Sequence, residues 1–297
     1  MLQVAVSARE EARPEPVHRS VLAREVVEHL RCRPGRTYVD GTLGPGGHAQ
    51  AILETSAPDG RVIGLDLDPD AIERASARLA GFGERFTAVR SDFRRVDEVL
   101  RELRTGPVDG ILADLGLSSI QMLTPERGFG FSNEGPLDMR YDRSRGRSAA
   151  RLLEEEDEAS LRRILLEYGE EKAAARIARA IVRRREKESI RTTTDLAAIV
   201  ADACPRRGPS RIHPATKTFQ ALRIAVNGQL AGLDAFVDTA VMSLRRGGRL
   251  AIISFHSLED RIVKHAMRAL AHRCICPPAM PVCVCGRANI LRVVTPR

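Results

Sequence analysis

Val39-Asp40-Gly41-Thr42-Leu43-Gly44-Pro45-Gly46-Gly47-His48 is the stretch on which the reading of this chain turns. A short apolar run ends in an acid and enters a turn rich in glycine. Glycine reaches positive φ without strain and lets a ligand approach the backbone, while Pro45 fixes φ within the same turn. A helix is expected to begin near Gly47-His48 and to run through Ala49, Ile52 and Leu53, so its unpaired amides and positive dipole end face the loop. That end suits an anionic group, either a pyrophosphate or an amino-acid carboxylate. One helix later, Ile63-Gly64-Leu65-Asp66-Leu67-Asp68-Pro69 again carries an apolar run to a carboxylate. Adjacent parallel strands ending in this way build a nucleotide-type cofactor site across their carboxyl ends.

Which cofactor is a question of charge. Gly44-x-Gly46-x-x-Ala49 fits the relaxed dinucleotide fingerprint, with Asp66 where a ribose-binding acid belongs, so a nicotinamide enzyme is one rival reading. Asp40, however, stands ahead of the glycines, where a carboxylate repels a pyrophosphate and suits a cationic amine. S-adenosylmethionine carries an ammonium, a carboxylate, a ribose and a sulfonium, which gives Asp40, the helix start and Asp66 a counterpart each.

Strands and helices alternate from residue 37 to 114. Strands read at residues 37–39, 62–65, 85–89 and 109–113, with helical segments near 47–55, 69–79 and 96–104 between them, the βαβ rhythm of a parallel sheet. Helical patterns then cover 148–167, 170–187 and 195–203, with Thr192-x-x-Asp195 as a capping box, and resume over 215–245 after a breaker at 205–210. Residues 249–255 read as a buried strand bounded by Gly247-Gly248, followed by a helix from about Ser257 with Ser257-x-x-Asp260 as a capping pair. Residues 290–294 read as a last strand. The expectation is one doubly wound, Rossmann-like α/β sheet interrupted by a helical insertion. Its parts are a loosely ordered arm over 1–16, sheet segments over 17–139 and 213–297, and the insertion over 140–212.

The chain has 297 residues, 43% hydrophobic and 29% charged, which describes a globular protein with ample core. A net charge of +8 favours a polyanionic partner. No apolar run approaches the roughly 18 residues of a membrane span, and nothing at the start reads as a signal peptide, so a cytoplasmic location is expected. Six cysteines make no disulfide framework in such a protein. Cys274, Cys276, Cys283 and Cys285 cluster around Pro277, Pro278 and Pro281, but C-x-C is not the usual spacing of a structural zinc site. They read as a reduced or redox-labile loop without metal.

The fourth strand runs into Ala113-Asp114-Leu115-Gly116-Leu117-Ser118-Ser119-Ile120-Gln121, at the same sheet edge as Asp40 and Asp66. With Asp40-Gly41-Thr42, Arg127-Gly128-Phe129, Gly135-Pro136-Leu137-Asp138-Met139-Arg140, Tyr168-Gly169-Glu170-Glu171, His213-Pro214-Ala215-Thr216 and Ile253-Ser254-Phe255-His256-Ser257-Leu258-Glu259-Asp260-Arg261, this turn makes the chain, from about His18 to Thr295, resemble the MraW-type ribosomal RNA small subunit methyltransferases. The resemblance implies a class I methyltransferase fold. It implies S-adenosylmethionine as cofactor, the exocyclic N4 of a decoding-centre cytidine in 16S rRNA as acceptor, and a cofactor pocket lined by Gly46, Gly47, His48, Asp66, Phe93, Asp114 and Gln121. For most of these the residues agree on their own. Asp66 can accept both ribose hydroxyls, Phe93 can pack on adenine and the Gly46-Gly47-His48 amides can meet the methionine end. Gln121 rests on the resemblance, and Ile120 stands where the family usually has proline.

Asp114 is the first candidate to accept the N–H bonds of the attacking amine, with Ser118 or Ser119 assisting; the competing reading makes Asp114 a cofactor contact or a turn cap. Asp114-Leu115-Gly116-Leu117 lacks the aromatic found in the Asp/Asn-Pro-Pro-aromatic turn of most amino-group methyltransferases. Phe129 or Phe131 is therefore the candidate to clamp the base, loop packing under a lid being the competing reading. Arg176, Arg179 and Arg183 fall on one helical face beside Arg184, Arg185 and Lys187, with Arg206, Arg207 and Arg211 beyond, and read as an RNA arm; the acidic run at 154–158 and simple charge pairing stand against it. His213, His256 and Glu259 receive no role. The expected partner is small-subunit rRNA in an assembled or late-assembling particle, with no obligate protein partner. Methylation of another amino group and a non-enzymatic assembly factor are the rival functions.

Overall fold

The computed structural model describes residues 20–205 and 213–272, and within the C-terminal segment 274, 276–277, 280–282, 284–286 and 289–295. The arm at 1–16 and Arg206, Arg207, Arg211 and Cys283 lie outside the described residues. β1 Thr37–Asp40, β2 Arg61–Asp66, β3 Phe86–Arg90, β4 Val108–Asp114 and β5 Leu244–Ile253 form one parallel sheet in the order β3-β2-β1-β4-β5. The chain builds outward from β1 to β3 and then returns to the other side of β1, so the crevice between the carboxyl ends of β1 and β4 is the switch point where ligands bind. Register fixes the acids there. Asp40 lies opposite Gly64 of β2 and Leu112 of β4, so Asp66 and Asp114 each stand two residues farther along, one on either side of it.

Both faces of the sheet are covered, which is why β4 is buried at every position but its last. α1 Ala23–Leu30, α2 Gly47–Thr55 and α3 Pro69–Leu79 cover one face, packing Leu30, Ile52 and Leu79 against Tyr38, Val62 and Leu112. α4 Val96–Glu102 covers the other with α11 and α12, given below, enclosing Val39, Leu65 and Ile111.

After the short α5 Ser119–Leu123, a second core forms among α6 Ala149–Glu155, α7 Glu158–Gly169, α8 Ala174–Arg185, α9 Thr193–Ala203 and α10 Thr216–Asn227. It also takes in Phe129, Leu137 and Met139 from before residue 140 and Phe219 and Leu222 from after 212, so the helical core reaches past both ends of the 140–212 stretch. The single helical run read at 148–167 is broken at Glu156-Asp157, where the Asp157 carboxylate caps α7 by accepting from Ser160 N. The capping box at Thr192 and Asp195 forms on α9. α11 Leu233–Met242 and α12 Ser257–Ala271 complete the chain around β5.

Three expectations are corrected. β5 starts at Leu244 and contains Gly247-Gly248 rather than following them; the register against β4 jumps between Val108↔Leu244 and Gly110↔Arg249, and the extra residues bulge there. α12 is capped by His256, whose Nδ1 lies 3.4 Å from Glu259 N, and not by Ser257, because Ser257 already has helical geometry. Residues 290–294 join no strand pair; Leu291 packs on the sheet core while Val293 and Val294 stay half exposed. Among the described residues, no helix is long and apolar enough to cross a membrane.

Candidate active site

The loop after β1 is tied to the end of β2 by its backbone. Leu43 N donates to Leu65 O at 2.8 Å and Gly44 N to Asp66 Oδ2 at 2.9 Å, while Asp66 Oδ1 accepts from Asp68 N at 2.9 Å. Each Asp66 oxygen keeps lone-pair capacity for a further donor, as binding a diol requires. Gly46 caps α2 at φ 83°, a conformation that favours glycine, and a side chain there would press on Ala75 and Leu79. Gly46 is therefore turned toward α3, whereas Gly44, Gly47 and His48 line the cleft.

Beneath the loop, charges are stacked in a row. Asp40 is fully buried, its Oδ1 accepting from Thr42 N at 3.2 Å and its Oδ2 accepting nothing. Burial pushes its carboxyl up to about 6, against the opposing pull of His48 and the Thr42 amide. His48, also buried, brings Nε2 within 3.3 Å of Asp114 Oδ2, and its Nδ1 has no partner. Burial pulls the imidazole down, but the Asp114 bond and the carboxylates of Asp40 and Asp114 outweigh it and the net direction is upward. Asp114 is 22% exposed to the cleft, although its Oδ1 is itself buried and has no hydrogen bond.

Gln121 is placed by two contacts that sequence reasoning missed. Ser118 caps α5 through a reciprocal box, Oγ accepting from Gln121 N at 3.1 Å and Ser118 N donating to Gln121 Oε1 at 3.3 Å. Ser118-x-x-Gln121 carries the capping-box pattern openly. The box leaves Gln121 Nε2 to donate to Asp68 Oδ2 at 2.9 Å, where the buried Arg127 guanidinium also donates at 2.6 Å. Arg127 in turn donates to Arg140 O and Tyr141 O, so one ion pair under the cleft joins the sheet to the segment leading into the helical core. Ser119 opens α5, and its side chain lies outside the described ones.

The aromatics fall differently from expectation. Phe93 lines the cleft with its ring edge-on to Phe236 at 4.7 Å. Phe129 is buried in the helical core, tilted on Tyr141, and Phe131 is wedged between His213 and Phe219, at 4.7 and 4.8 Å. Neither lines the cleft: both rings pack toward the apolar helices, Phe129 buried and Phe131 partly so. Phe255, just beyond β5, is instead 53% exposed at the cleft mouth. It covers Gly116, which sits at φ 113° and whose missing Cβ leaves the room the ring uses. Glu259, fully buried, holds this corner, accepting from Phe255 N at 3.1 Å and Gln229 Nε2 at 2.5 Å. His213 serves its own backbone, Nδ1 accepting from Ala215 N at 3.2 Å.

S-adenosylmethionine fits this donor set by charge. Asp66 and Asp114 line the crevice and Asp40, expected to meet the ammonium, lies buried beneath it; with the guanidiniums of Arg94 and Arg127 taken by Asp92 and Asp68, the crevice still has acid to spare for a sulfonium and an ammonium. A pyrophosphate would meet the same carboxylates as repulsion, which removes the nicotinamide rival.

The model of the MraW methylase family matches residues 15–297. The ribosomal RNA small subunit methyltransferase H of Trichlorobacter lovleyi is 52% identical over 281 residues, covering 94% of this chain and 90% of that protein. The proteins of the same name from Anaeromyxobacter sp. (strain Fw109-5) and Symbiobacterium thermophilum are 55% and 50% identical, over 95% and 94% of this chain and 90% and 88% of theirs. With the parallel sheet, its switch-point crevice and this acidic cleft in place, the chain belongs to the MraW methylase family, and its cofactor is S-adenosylmethionine.

Proposed function

We propose that the protein methylates the exocyclic N4 of a cytidine in small-subunit (16S) ribosomal RNA, at the decoding centre, acting in the cytoplasm on an assembled or late-assembling particle. The names of its relatives support the RNA, and the place of Asp114 carries the chemistry: its carboxylate is partly exposed to the cleft and is held by His48. Gly47 and His48 would hold the methionine end, Asp66 the ribose and Phe93 the adenine, with Gln121 closing the pocket through Asp68. Bound there, S-adenosylmethionine supplies an electrophilic methyl group on a positively charged sulfur.

The N4 lone pair of cytosine is delocalised into the ring, so the amine attacks only as it pyramidalises. Asp114, partly exposed to the cleft, accepts an N4–H bond and favours that change, and His48 fixes the carboxylate through Oδ2. The transferred methyl makes the remaining proton acidic, so no strongly shifted base is needed. Ser118 Oγ, occupied as an acceptor by the α5 cap, keeps its hydroxyl proton for a base edge, and Ser119 follows it in the same turn. The cytosine has to leave its stack to reach the cleft, and the exposed ring of Phe255 is the platform on which it rests.

The helical half is the proposed RNA-recognition element. On α8, Arg176, Arg179 and Arg183 are exposed on one face while Ile177 and Ile181 point into the core. From the acidic run Glu158 meets this face, 3.5 Å from Arg179. Glu155 and Glu156 are held by Arg147 and Arg151, and Arg185 is consumed capping the end of α6 at Leu153 O and Glu156 O.

The deciding experiment incubates the protein and S-adenosylmethionine with unmodified small subunits, and separately with naked rRNA, and identifies methylated nucleosides by mass spectrometry. N4-methylcytidine is the expected product. Methyl transfer to any other atom, or none despite cofactor binding, overturns the assignment.

A further inference from the structure

The chain leaves α12 at Ala271 and returns at Ile290, whose N donates to Leu270 O at 3.2 Å. That bond closes the base of a long loop. Among its described residues there is no helix or strand, and one internal backbone bond, Met280 N to Pro277 O at 2.9 Å, marks a turn at its middle. A loop of this length whose described residues hold no helix or strand is unusual and asks what orders it. Aliphatic burial does not: Val282 and Val284 are each 70% exposed and Met280 44%. What converges instead is sulfur. Cys274 and Cys276, before the turn, and Cys285, after it, bring their Sγ atoms to within 4.8 Å of one another.

We infer that Cys274, Cys276 and Cys285 form a binding site for a thiophilic tetrahedral cation, zinc, which cross-links the two limbs of this loop. Three thiolates bound to one zinc at about 2.3 Å stand about 3.8 Å apart, so the observed spacing lies within a small side-chain adjustment of a ligand shell. A disulfide needs only two sulfurs to meet, whereas here one limb brings two and the other a third within the same 4.8 Å. The C-x-C spacing, read from sequence as unlike a zinc site, is overcome by the turn at Pro277: closure comes from the opposite limb, not from the next residue in the same one. Cation binding would order the segment as it does other small metal-held loops, with the valines left outward. The site stands apart from the methyl-transfer cleft, which none of these cysteines lines.

The test uses the full chain, purified under reductant, stripped with a chelator and reloaded with zinc or cobalt alone. One zinc per chain is expected, and cobalt should give the thiolate-to-metal charge-transfer band and the intense visible bands of a tetrahedral sulfur site. The triple variant Cys274→Ser, Cys276→Ser, Cys285→Ser should lose both while still binding S-adenosylmethionine, and Cys32→Ser with Cys204→Ser should keep both. A reloaded wild-type chain with no more zinc than the triple variant, or a cobalt spectrum lacking thiolate charge transfer, overturns the site. The cobalt spectrum of the unaltered chain decides the matter even if the triple variant does not fold.

Discussion

Arg127 and Arg179 are the same side chain in two halves of one molecule, and their surroundings are opposite. Arg127 is 6% exposed and bound to the equally buried Asp68 beneath the cleft. Arg179 stands on the outside of α8, more than half exposed, 3.5 Å from an exposed Glu158. The sheet edge is built from charges taken out of water, which hold position because leaving them unpaired is expensive. The helical half keeps its charges in solvent around an apolar core, where each pair is worth about 0–1 kcal/mol and the residues are free to meet a partner. Equal substitutions should therefore have unequal effects in the two regions.

The largest effect is expected at the buried pair. Arg127→Met strands the Asp68 carboxylate and should lower unfolding stability by about 3–5 kcal/mol, whereas Arg179→Met should change it by less than about 1 kcal/mol. Equilibrium denaturation of the two variants measures the contrast directly, and similar losses would break it. Next, Asp114→Ala should lower kcat on small subunits about 100-fold, in the range of a positioned acid–base group, with S-adenosylmethionine still bound. Near-normal turnover there would remove Asp114 from the chemistry.

Asp40 tests the edge from within. Its folded carboxyl is raised to about 6 from the ordinary 3.8, so the group favours the fold in acid and withdraws that contribution as pH rises through about 6. Asp40→Asn keeps an acceptor for Thr42 N and removes the titration. The cofactor-free variant should exceed wild type by on the order of 2 kcal/mol above pH 6, the gap closing below about pH 4. The NMR titration midpoint of His48 should fall as well, since Asp40 helps to raise it. Stability curves that stay parallel across this range would contradict the buried-charge account.

Smaller effects are expected where the two halves meet RNA. Phe255→Ala should raise KM for the subunit about tenfold, a stacking loss of the size seen for one base, with cofactor affinity unchanged and Phe255→Tyr restoring it. Arg176→Gln with Arg183→Gln should flatten the salt dependence of RNA binding by about two counterions without moving the melting temperature. An unchanged salt slope would make the α8 face ordinary solvated surface.

Much of the cleft was legible beforehand. Alternating apolar runs and helices placed Asp40, Asp66 and Asp114 at neighbouring strand ends, and the glycine-rich turn located the start of α2 at the residue where the helix begins. The misses share one cause. Gln121 rested on the resemblance although Ser118-x-x-Gln121 is a capping box, because a local cap does not say which distant carboxylate the free amide will meet. Phe129 and Phe131 looked like base clamps because loop position says nothing about which way a ring packs. The extent of the helical core was hidden for the same reason: Phe129, Leu137 and Phe219 lie outside the helical run in sequence yet pack into it in space.

By itself, the sequence determined the parallel sheet, its interruption and the acidic cofactor edge, since these follow from residue periodicity and from backbone geometry that only certain residues permit. Tertiary structure alone decided which charges lose water, which aromatic reaches the cleft and which cysteines meet. Burial and proximity are properties of segments far apart in the chain, such as Asp68 with Arg127, Gly116 with Phe255 and Cys274 with Cys285, and no local pattern carries them.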